Sequence, residues 1–446
     1  MRYFLIIALL LSPLLVLAQD DPTEEVSTQR LEADVEKLVS FGTRHTLSDP
    51  AGTERGIGAA RAWATSEFAE ISADCGDCLE IVHPRRMVTG DRIPEPVLIE
   101  NVVAIMRGSE RPNEVTIVQA HIDSRASDVM DAKSQAPGAN DNASGSALVI
   151  EAARVMAGRD YPTTIVFALL SGEEQGLFGG ELLADYAREQ GWTVKAVLNN
   201  DVVGGSCGSD GYCDAGHVRV FSEGVRADAD EDMRAQMRSR GGANDSPSRN
   251  LSRWIDGLAK SNSDGLEVRQ VWRSDRMGRG GDHLPFLDRG FPAIRFSVAV
   301  EDYERQHQDV RTRFGVSYGD TVDEMDFDYL ALVTRLNVRA LDQLARTPMP
   351  PEIQIDGVVR PDVQLEWLPV AGAASYKIWR RATDARDWEL RMQLPADNAA
   401  DLNSITLAPD RGDDWIFGIS SVAADGAESP VSSAVPGGAF RPLGGE

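Results

Sequence analysis

The stretches EVTIVQAHIDS (residues 114–124), TTIVFALLSGEE (163–174) and TVKAVLNND (193–201) decide the fold of this chain. In each of them an apolar run rich in β-branched residues is followed at once by polar side chains. Runs of this length and composition are typical of strands that are buried on both faces of a sheet. Similar runs, VLIENVVAIM (97–106) and PAIRFSVAV (292–300), predict further strands.

Helical patterns alternate with these strands. Apolar residues recur at helical spacing in residues 31–41, 53–70, 144–157, 176–190 and 327–346. The alternation predicts an α/β fold, with a mostly parallel mixed sheet sandwiched by helices. In such sheets ligands bind beyond the carboxyl ends of the strands. The charged stretch 223–250 is expected to be an excursion of short helix and loop over the surface.

The chain is expected to contain two domains. The segment TPMPPE (347–352) holds three prolines and no periodicity, so it is interpreted as a linker after a first domain at 19–346. Residues 353–446 contain alternating strands, which predict a small all-β sandwich. Four aromatic residues are expected in its core: Trp367, Tyr376, Trp388 and Trp415. The pattern EWLPVAGAASYKIWRR with the later IFGISSVAADGAES resembles a fibronectin type III domain.

The first residues, MRYFLIIALLLSPLLVLAQ, have the layout of a secretory signal peptide, with cleavage expected after Ala18. The alternative is a membrane anchor. However, Ser12-Pro13 interrupts the apolar run, which is short for the roughly 20 residues that a spanning helix needs. We therefore expect residues 1–18 to be removed and the mature protein, which has no other spanning segment, to be secreted or periplasmic.

The charge and the cysteines narrow the possible partners and chemistry. Seventy acidic against 45 basic residues give a net charge of −25, which disfavours nucleic acid as a partner. The cysteines form two close pairs, Cys75/Cys78 and Cys207/Cys213. In an exported chain they predict two local disulfides. The alternatives are a zinc site made from all four cysteines and a redox CxxC motif.

Metal-ligating side chains follow the predicted strands. His121 and Asp123 follow the first quoted strand, Glu173 and Glu174 the second, and Asp201 the third. A fourth segment, PGANDNASG (137–145), places Asp141 in a turn before a helix. Imidazole and carboxylate groups together are typical ligands of zinc. A set of this size is more than one ion needs, and it fits two ions that share a carboxylate. A salt-bridge network is the alternative, but it would bury several acidic groups with little basic compensation.

Four blocks, HIDS, GANDNASG, SGEEQGLFGG and the NND of LNNDVVG, resemble the signature blocks of the co-catalytic zinc aminopeptidase family across roughly residues 30–346. This family also includes glutamate carboxypeptidases, glutaminyl cyclases and inactive receptor ectodomains. The resemblance implies a zinc exopeptidase fold with two zinc ions. It assigns His121 and Asp201 to one zinc, Asp141 as the bridge, Glu174 and a late histidine to the second zinc, and Glu173 as the general base.

The late histidine is interpreted as His307, which follows the last strand where the family supplies its final ligand. The family commonly has an Asp-Thr pair four residues after this histidine, whereas here Asp320-Thr321 comes much later. His283 is expected to be a structural or substrate-side residue. Asp123 is expected to accept the second N–H of the His121 imidazole. Tyr212 and Tyr303 are candidate oxyanion donors, with packing as the alternative role.

The sequence therefore predicts an exported di-zinc aminopeptidase that removes N-terminal residues from peptides with a free amine. A carboxypeptidase is one alternative, with Arg125 and Arg276 or Arg279 as the cationic pocket that it needs. A cyclase-type acyltransferase with one zinc is another. A protein of a different class would have no activity and would bind a surface, a polysaccharide or a protein through its C-terminal domain.

Overall fold

The protein is described by a computed structural model that covers residues 21–398 and 401–444. The predicted signal peptide lies outside the described residues. Within the described part, the helices are α1 (Thr28–Ser40), α2 (Gly56–Asp74), α3 (Ser144–Met156), α4 (Glu173–Gly176), α5 (Phe178–Glu189), α6 (Glu231–Arg240), α7 (Pro247–Lys260), α8 (Leu284–Asp288) and α9 (Phe327–Arg346).

The first five strands of the described part follow one another directly, helices then lie between most of the remaining strands of the central sheet, and the strands after α9 again follow one another directly. They are β1 (Glu80–Val82), β2 (Arg85–Gly90), β3 (Ile93–Glu100), β4 (Val102–Met106), β5 (Arg111–His121), β6 (Thr163–Leu170), β7 (Thr193–Asn200), β8 (His217–Phe221), β9 (Glu267–Val271), β10 (Ala293–Val298), β11 (Arg311–Arg313), β12 (Val316–Tyr318), β13 (Ile353–Asp356), β14 (Val363–Trp367), β15 (Ser375–Ala382), β16 (Glu389–Pro395), β17 (Asn403–Leu407), β18 (Trp415–Val422) and β19 (Ser432–Ser433).

The central sheet has eight strands in the order β1-β4-β6-β5-β7-β10-β8-β9. Its middle strands β6, β5, β7 and β10 are parallel neighbours, and antiparallel pairs lie on either side of them. The predicted α/β fold with a mostly parallel mixed sheet is confirmed. Parallel neighbours bring their carboxyl ends to one edge of the sheet, and this determines where the polar residues that follow them lie.

Strand β6 shows how the sheet is buried on both faces. Ile165, Phe167 and Leu169 pack into one hydrophobic core with residues of α1, α2, α3, α7 and α9. The intervening Val166, Ala168 and Leu170 pack into a second core with residues of α5 and α8. Successive side chains of a strand point to opposite faces, so an unbroken apolar run is what a strand between two helical layers requires.

Two expectations about local structure are wrong. The run VLIENVVAIM is not one strand, because Asn101 separates β3, which pairs with β2 outside the central sheet, from β4 within it. Asn101 is buried and its amide bonds both to Ser171 N and to Gly179 O, which breaks the strand. Residues 245–250 are not a surface excursion, because they are buried at the start of α7.

The C-terminal region contains two small antiparallel sheets, β13-β14-β17 and β16-β15-β18-β19, which share one core. Trp367 and Tyr376 are buried in that core, and Trp415 packs against it. The expectation for Trp388 is wrong: its indole N–H reaches the Asn250 side chain of α7 at 3.3 Å instead of entering the core.

Side chains tie this region to α7 and its neighbours. Arg381 pairs with Asp245 at 2.6 Å, and both side chains are almost fully buried. The two predicted disulfides, Cys75–Cys78 and Cys207–Cys213, are confirmed. Among the described residues, every helix is too short or too polar to cross a membrane.

Candidate metal centre

The carboxyl ends of three adjacent strands carry the predicted site residues. His121 is the last residue of β5, and Asp201 directly follows β7 on one side of it. Strand β6, on the other side, is followed by Ser171 and Gly172, after which α4 begins with Glu173 and Glu174. Gly172 has a φ of +84°, a backbone conformation that is easy only for glycine, and it turns the chain into α4.

Asp141 reaches the same edge from a turn before α3. Gly138 opens that turn with a φ of +56°, and a Cβ atom there would lie 2.3 Å from the Asp141 carbonyl oxygen, so only glycine fits. The carboxylate of Asp320 accepts the backbone N–H groups of Asn140 at 2.8 Å and Asp141 at 2.6 Å. These two hydrogen bonds to Asp320 fix the conformation of the turn.

His307 lies in the loop after β10, with a left-handed φ of +57° that is uncommon for a residue other than glycine. The hairpin of β11 and β12 separates it from Asp320. This insertion accounts for the unusual spacing between His307 and Asp320-Thr321. Asp320 nevertheless contacts the site, because the hairpin loops out and returns the chain to the Asp141 turn.

Two groups of three side chains form at this edge, and each can hold a metal ion. His121, Asp141 and Asp201 form one group, and Asp141, Glu174 and His307 form the other. The ligand atoms within each group lie within 4.8 Å of one another. Asp141 belongs to both: its Oδ1 is 3.2 Å from His121 Nε2, and its Oδ2 is 2.9 Å from His307 Nε2.

Glu173 is half-buried and borders a cavity of about 630 Å³ that opens onto both groups. Asp141, Glu174, Asp201 and His307 line the same cavity. This volume lies in the range of small-molecule sites and accommodates a short peptide. The structure thus brings all six of the residues assigned to the zinc ions and the general base to one place.

Asp123 is fully buried and does not line the cavity. The nearest acceptor for His121 Nδ1 is the Asp123 backbone carbonyl at 3.1 Å, whereas the carboxylate is 3.5 Å away. The carboxylate itself accepts the backbone N–H groups of Glu173 and Glu174, each at 3.3 Å. Asp123 therefore orients α4 as well as the imidazole, a role that the sequence did not suggest.

Burial and charge strongly perturb the carboxyl groups and the imidazole. Burial, reinforced by neighbouring carboxylates, raises the pKa of Glu173 and of Glu174 well above the usual value. Burial alone would lower the pKa of His121, but Glu173 and the other surrounding carboxylates outweigh burial and raise it. Burial would also raise the pKa of Asp141 and of Asp201, but His307 and His121 lower that of Asp141, and Arg295 and His121 lower that of Asp201.

The donor set fits zinc. Glu174 Oε1 and Asp201 Oδ2 are buried and have no hydrogen-bond partner among the described residues. A buried carboxylate oxygen without a partner costs free energy, and a divalent cation removes that cost. Imidazole nitrogens and carboxylate oxygens are ligands of hydrolytic zinc sites. The residues present can therefore hold zinc in both groups.

Two fully buried arginines support the site and were not expected from the sequence. Arg44 donates to the carbonyl oxygens of Ile122 and Gly138, at 2.7 and 2.9 Å, and so joins the segments that carry His121 and Asp141. Arg295 in β10 forms an ion pair with Asp201, with Nη2 2.8 Å from Oδ1, and donates a hydrogen bond to the Asp201 carbonyl oxygen at 3.3 Å. No local pattern marks either residue, because an arginine in a loop or a strand usually faces solvent.

The remaining predicted residues divide into two sets. Arg125, Arg276 and Arg279 line the cavity. His283 does not: it is fully buried, and its Nε2 lies 2.7 Å from the Ser274 carbonyl oxygen, which is a structural position. Tyr212 and Tyr303 are exposed side chains and are absent from the cavity lining.

Comparison with known proteins gives concordant results. Residues 101–339 match the family model described as peptidase family M28. A probable zinc metalloprotease of Leptosphaeria maculans is 41% identical over 419 residues, covering 93% of this chain and 96% of that protein. A probable zinc metalloprotease of Pyrenophora teres f. teres is 40% identical over 415 residues, covering 92% and 85%.

Solved structures are similar in fold. LapB from Legionella pneumophila has a TM-score of 0.53 and 19% identity, covering 73% of this chain and 74% of that chain. The LapA aminopeptidase of the same organism has a TM-score of 0.52 and 19% identity over the same shares. At this level of identity the likeness concerns the fold alone.

Proposed function

The chain belongs to peptidase family M28 and is a zinc-dependent protease, and on that basis we propose that it is an exported aminopeptidase that uses two zinc ions. The observation that carries the proposal is the position of Asp141. Its two carboxylate oxygens face different histidines, His121 and His307, and so two metal groups share one carboxylate. Two ions with one bridging carboxylate are typical of co-catalytic hydrolases.

In this proposal His121 and Asp201 hold one zinc ion, Glu174 and His307 hold the second, and Asp141 bridges them. When bound, the zinc ions would polarise the scissile carbonyl and lower the pKa of the attacking water. The protein contributes the fixed geometry. Asp320 holds the Asp141 turn, Asp123 orients α4, and Arg295 holds Asp201.

Glu173 is the general base. Its carboxylate faces the cavity, is half-buried, and makes no hydrogen bond with any residue of the described part of the chain. It is therefore free to take a proton from the attacking water and return it to the leaving nitrogen. Burial raises its pKa well above the usual value, which makes a carboxylate a stronger base.

The aminopeptidase mode is supported by Asp91 and Glu173, two carboxylates of the cavity lining that are not assigned to a metal ion and whose negative charge favours a cationic amine over an acylated one. It predicts that peptides with a free amine are cut and that their N-acetylated forms are not. A carboxypeptidase would cut both. A metal content of one zinc per chain would instead favour the cyclase-type alternative.

The test is a measurement of zinc per chain and of activity on a panel of aminoacyl-anilides and short peptides. We expect two zinc ions, cleavage of free-amine substrates, and a loss of roughly 10²–10⁴ in kcat for Glu173→Gln with zinc retained. Glu70→Gln on the exposed side of α2 is the matched control. If the zinc-loaded protein cuts no substrate, or if Glu173→Gln is as active as wild type, the proposal is wrong.

Three further parts of the proposal concern the rest of the chain. We propose that residues 1–18 are a signal peptide, which is consistent with two disulfides, since disulfides persist mainly outside the cytosol. We propose that residues 19–346 form the peptidase domain and that residues 353–446, after the linker 347–352, form a fibronectin type III-like domain. Sequencing the N-terminus of the mature protein tests the cleavage site.

A further inference from the structure

The cavity wall carries a charge opposite to that of the whole protein. The chain has a net charge of −25, yet four arginines line the cavity: Arg92, Arg125, Arg276 and Arg279. With the three metal-group carboxylates, Asp141, Glu174 and Asp201, neutralised by cations, the lining acids that remain are Glu173 and Asp91. The wall around the substrate is therefore cationic, and this local potential selects the charge of what enters.

The four arginines differ in how fully their donors are used. Arg276 donates to the carboxylates of Asp275 and Glu301 and to the Gly280 carbonyl. Its guanidinium is thus committed to the protein. Arg92 is exposed, and one of its terminal amino groups donates to the Glu174 carbonyl oxygen at 2.9 Å.

Arg125 and Arg279 keep donors free. Arg125 donates only through Nε, to the Ala126 carbonyl at 3.2 Å, and within residues 21–398 and 401–444 its two terminal amino groups have no hydrogen-bond partner. Arg279 bonds through Nη1 alone, to Glu301 at 2.7 Å and to Gln306 at 3.2 Å. The Arg125 side chain is only 17% exposed, so much of its guanidinium is already withdrawn from water.

Arg125 also lies beside the reacting centre. It is four residues after His121, and its Nε is 4.0 Å from Oε2 of Glu174, a member of the second metal group. A group bound by Arg125 would therefore lie close to the second metal group. The planar fork of two free amino groups matches the two oxygens of a carboxylate.

We propose that Arg125, assisted by Arg279 of the same cavity lining, binds a carboxylate of the substrate next to the scissile bond, and so makes this enzyme selective for anionic substrates. The inference rests on the proposed peptidase function. Two sources supply the same chemistry: an acidic side chain on the N-terminal residue, or the free C-terminal carboxylate of a dipeptide.

Matched substrate pairs distinguish the two sources. Glutamyl- and glutaminyl-p-nitroanilide differ only in the side-chain charge, and Leu-Gly and Leu-Gly amide differ only at the C-terminus. We expect kcat/KM to be about tenfold to a hundredfold higher for the carboxylate member of one pair, the range expected for a hydrogen bond to a charged group. The pair that shows the difference identifies the source.

Substitution of the arginines tests the assignment. Arg125→Gln should bring that ratio close to one, and Arg279→Gln should reduce it in part. Arg188→Gln on the exposed end of α5 removes the same charge away from the cavity and should leave the ratio unchanged. A ratio that survives both cavity substitutions would overturn the assignment, as would a ratio of one in both pairs for wild type.

A measurement of ligand binding distinguishes failure of this inference from failure of the proposed function. If no peptide is cut, the peptidase proposal fails, but calorimetry on the zinc-loaded protein still compares glutamate with glutamine and Leu-Gly with its amide. Tighter binding of the carboxylate member of a pair, lost in Arg125→Gln, supports the anion site without hydrolysis. Equal affinity within both pairs for the wild-type protein refutes it.

Discussion

Replacement of Asp123 by Asn tests whether this residue orients the catalytic side chains. Its Oδ1 accepts the Glu173 N–H at 3.3 Å, and its Oδ2 accepts the Glu174 N–H at 3.3 Å and the Thr46 hydroxyl at 2.9 Å. An asparagine keeps one acceptor oxygen but replaces the other by an NH₂ donor. In either orientation of the amide, its NH₂ group faces the backbone N–H of Glu173 or of Glu174 at the start of α4, so that two donors meet.

The size of the effect follows from these contacts. Loss of one buried hydrogen bond to a charged group costs about 1.5–3 kcal/mol of folding free energy. The same change weakens the contacts that position Glu173, the proposed base, and Glu174, a proposed zinc ligand. Substitution of residues that hold metal ligands typically lowers metal affinity or activity by roughly 10- to 100-fold. We expect a loss of that size in kcat/KM, in zinc affinity, or in both.

The assay compares kcat/KM, zinc affinity by chelator competition, and urea unfolding for Asp123→Asn and Thr46→Val. Thr46→Val removes only the hydroxyl that bonds to the same carboxylate, so it should cost about 0.5–1.5 kcal/mol of stability and little activity. If Asp123→Asn keeps both kcat/KM and zinc affinity within about threefold of wild type, the Asp123 carboxylate does not orient α4.

Two further predictions concern stability. Burial lowers the pKa of Lys195 to about 8 in the folded protein, below the roughly 10.4 of an unfolded lysine. Between pH 8 and 10 the unfolded chain therefore binds the extra proton, and stability should rise with pH by up to about 1.4 kcal/mol per unit more steeply in wild type than in Lys195→Met. Equal slopes in urea unfolding would contradict this. Arg381→Met leaves Asp245 buried without its 2.6 Å partner and should destabilise the protein by about 3–5 kcal/mol in urea unfolding. The double variant with Asp245→Leu should recover most of that loss, and failure to recover would show that the pair is not the cause.

The central sheet and most of the site were predictable because their signals are local. Strands β5, β6 and β7 each contain a mostly apolar, buried run, and a strand that is buried on both faces can be recognised from its own residues alone. The parallel pairing of these strands then brings His121, Glu173 and Asp201 to one edge. Within the described residues, helix α9 begins and ends exactly where its apolar periodicity does.

The errors come from contacts between residues that are remote in sequence. Asn101 breaks an apolar run that looks continuous, because a buried amide bonds to two backbone groups that are remote in sequence. Residues 245–250 are polar and yet buried, because Asp245 pairs with Arg381 from the C-terminal region. Trp388 leaves the predicted core for the same reason, since the surface of α7 offers its indole N–H an acceptor.

The sequence alone predicted the fold class, the two disulfides and the strand-end position of the candidate metal ligands, because strand and helix periodicities and short loops are properties of neighbouring residues. Only the tertiary structure decided which remote groups orient that site. Asp320 bonds the Asp141 turn from beyond a hairpin, Arg295 pairs with Asp201 from another strand, and Arg125 keeps its free donors within the cavity. Such contacts form only where segments that are remote in sequence pack against one another. No short stretch of the chain therefore predicts them.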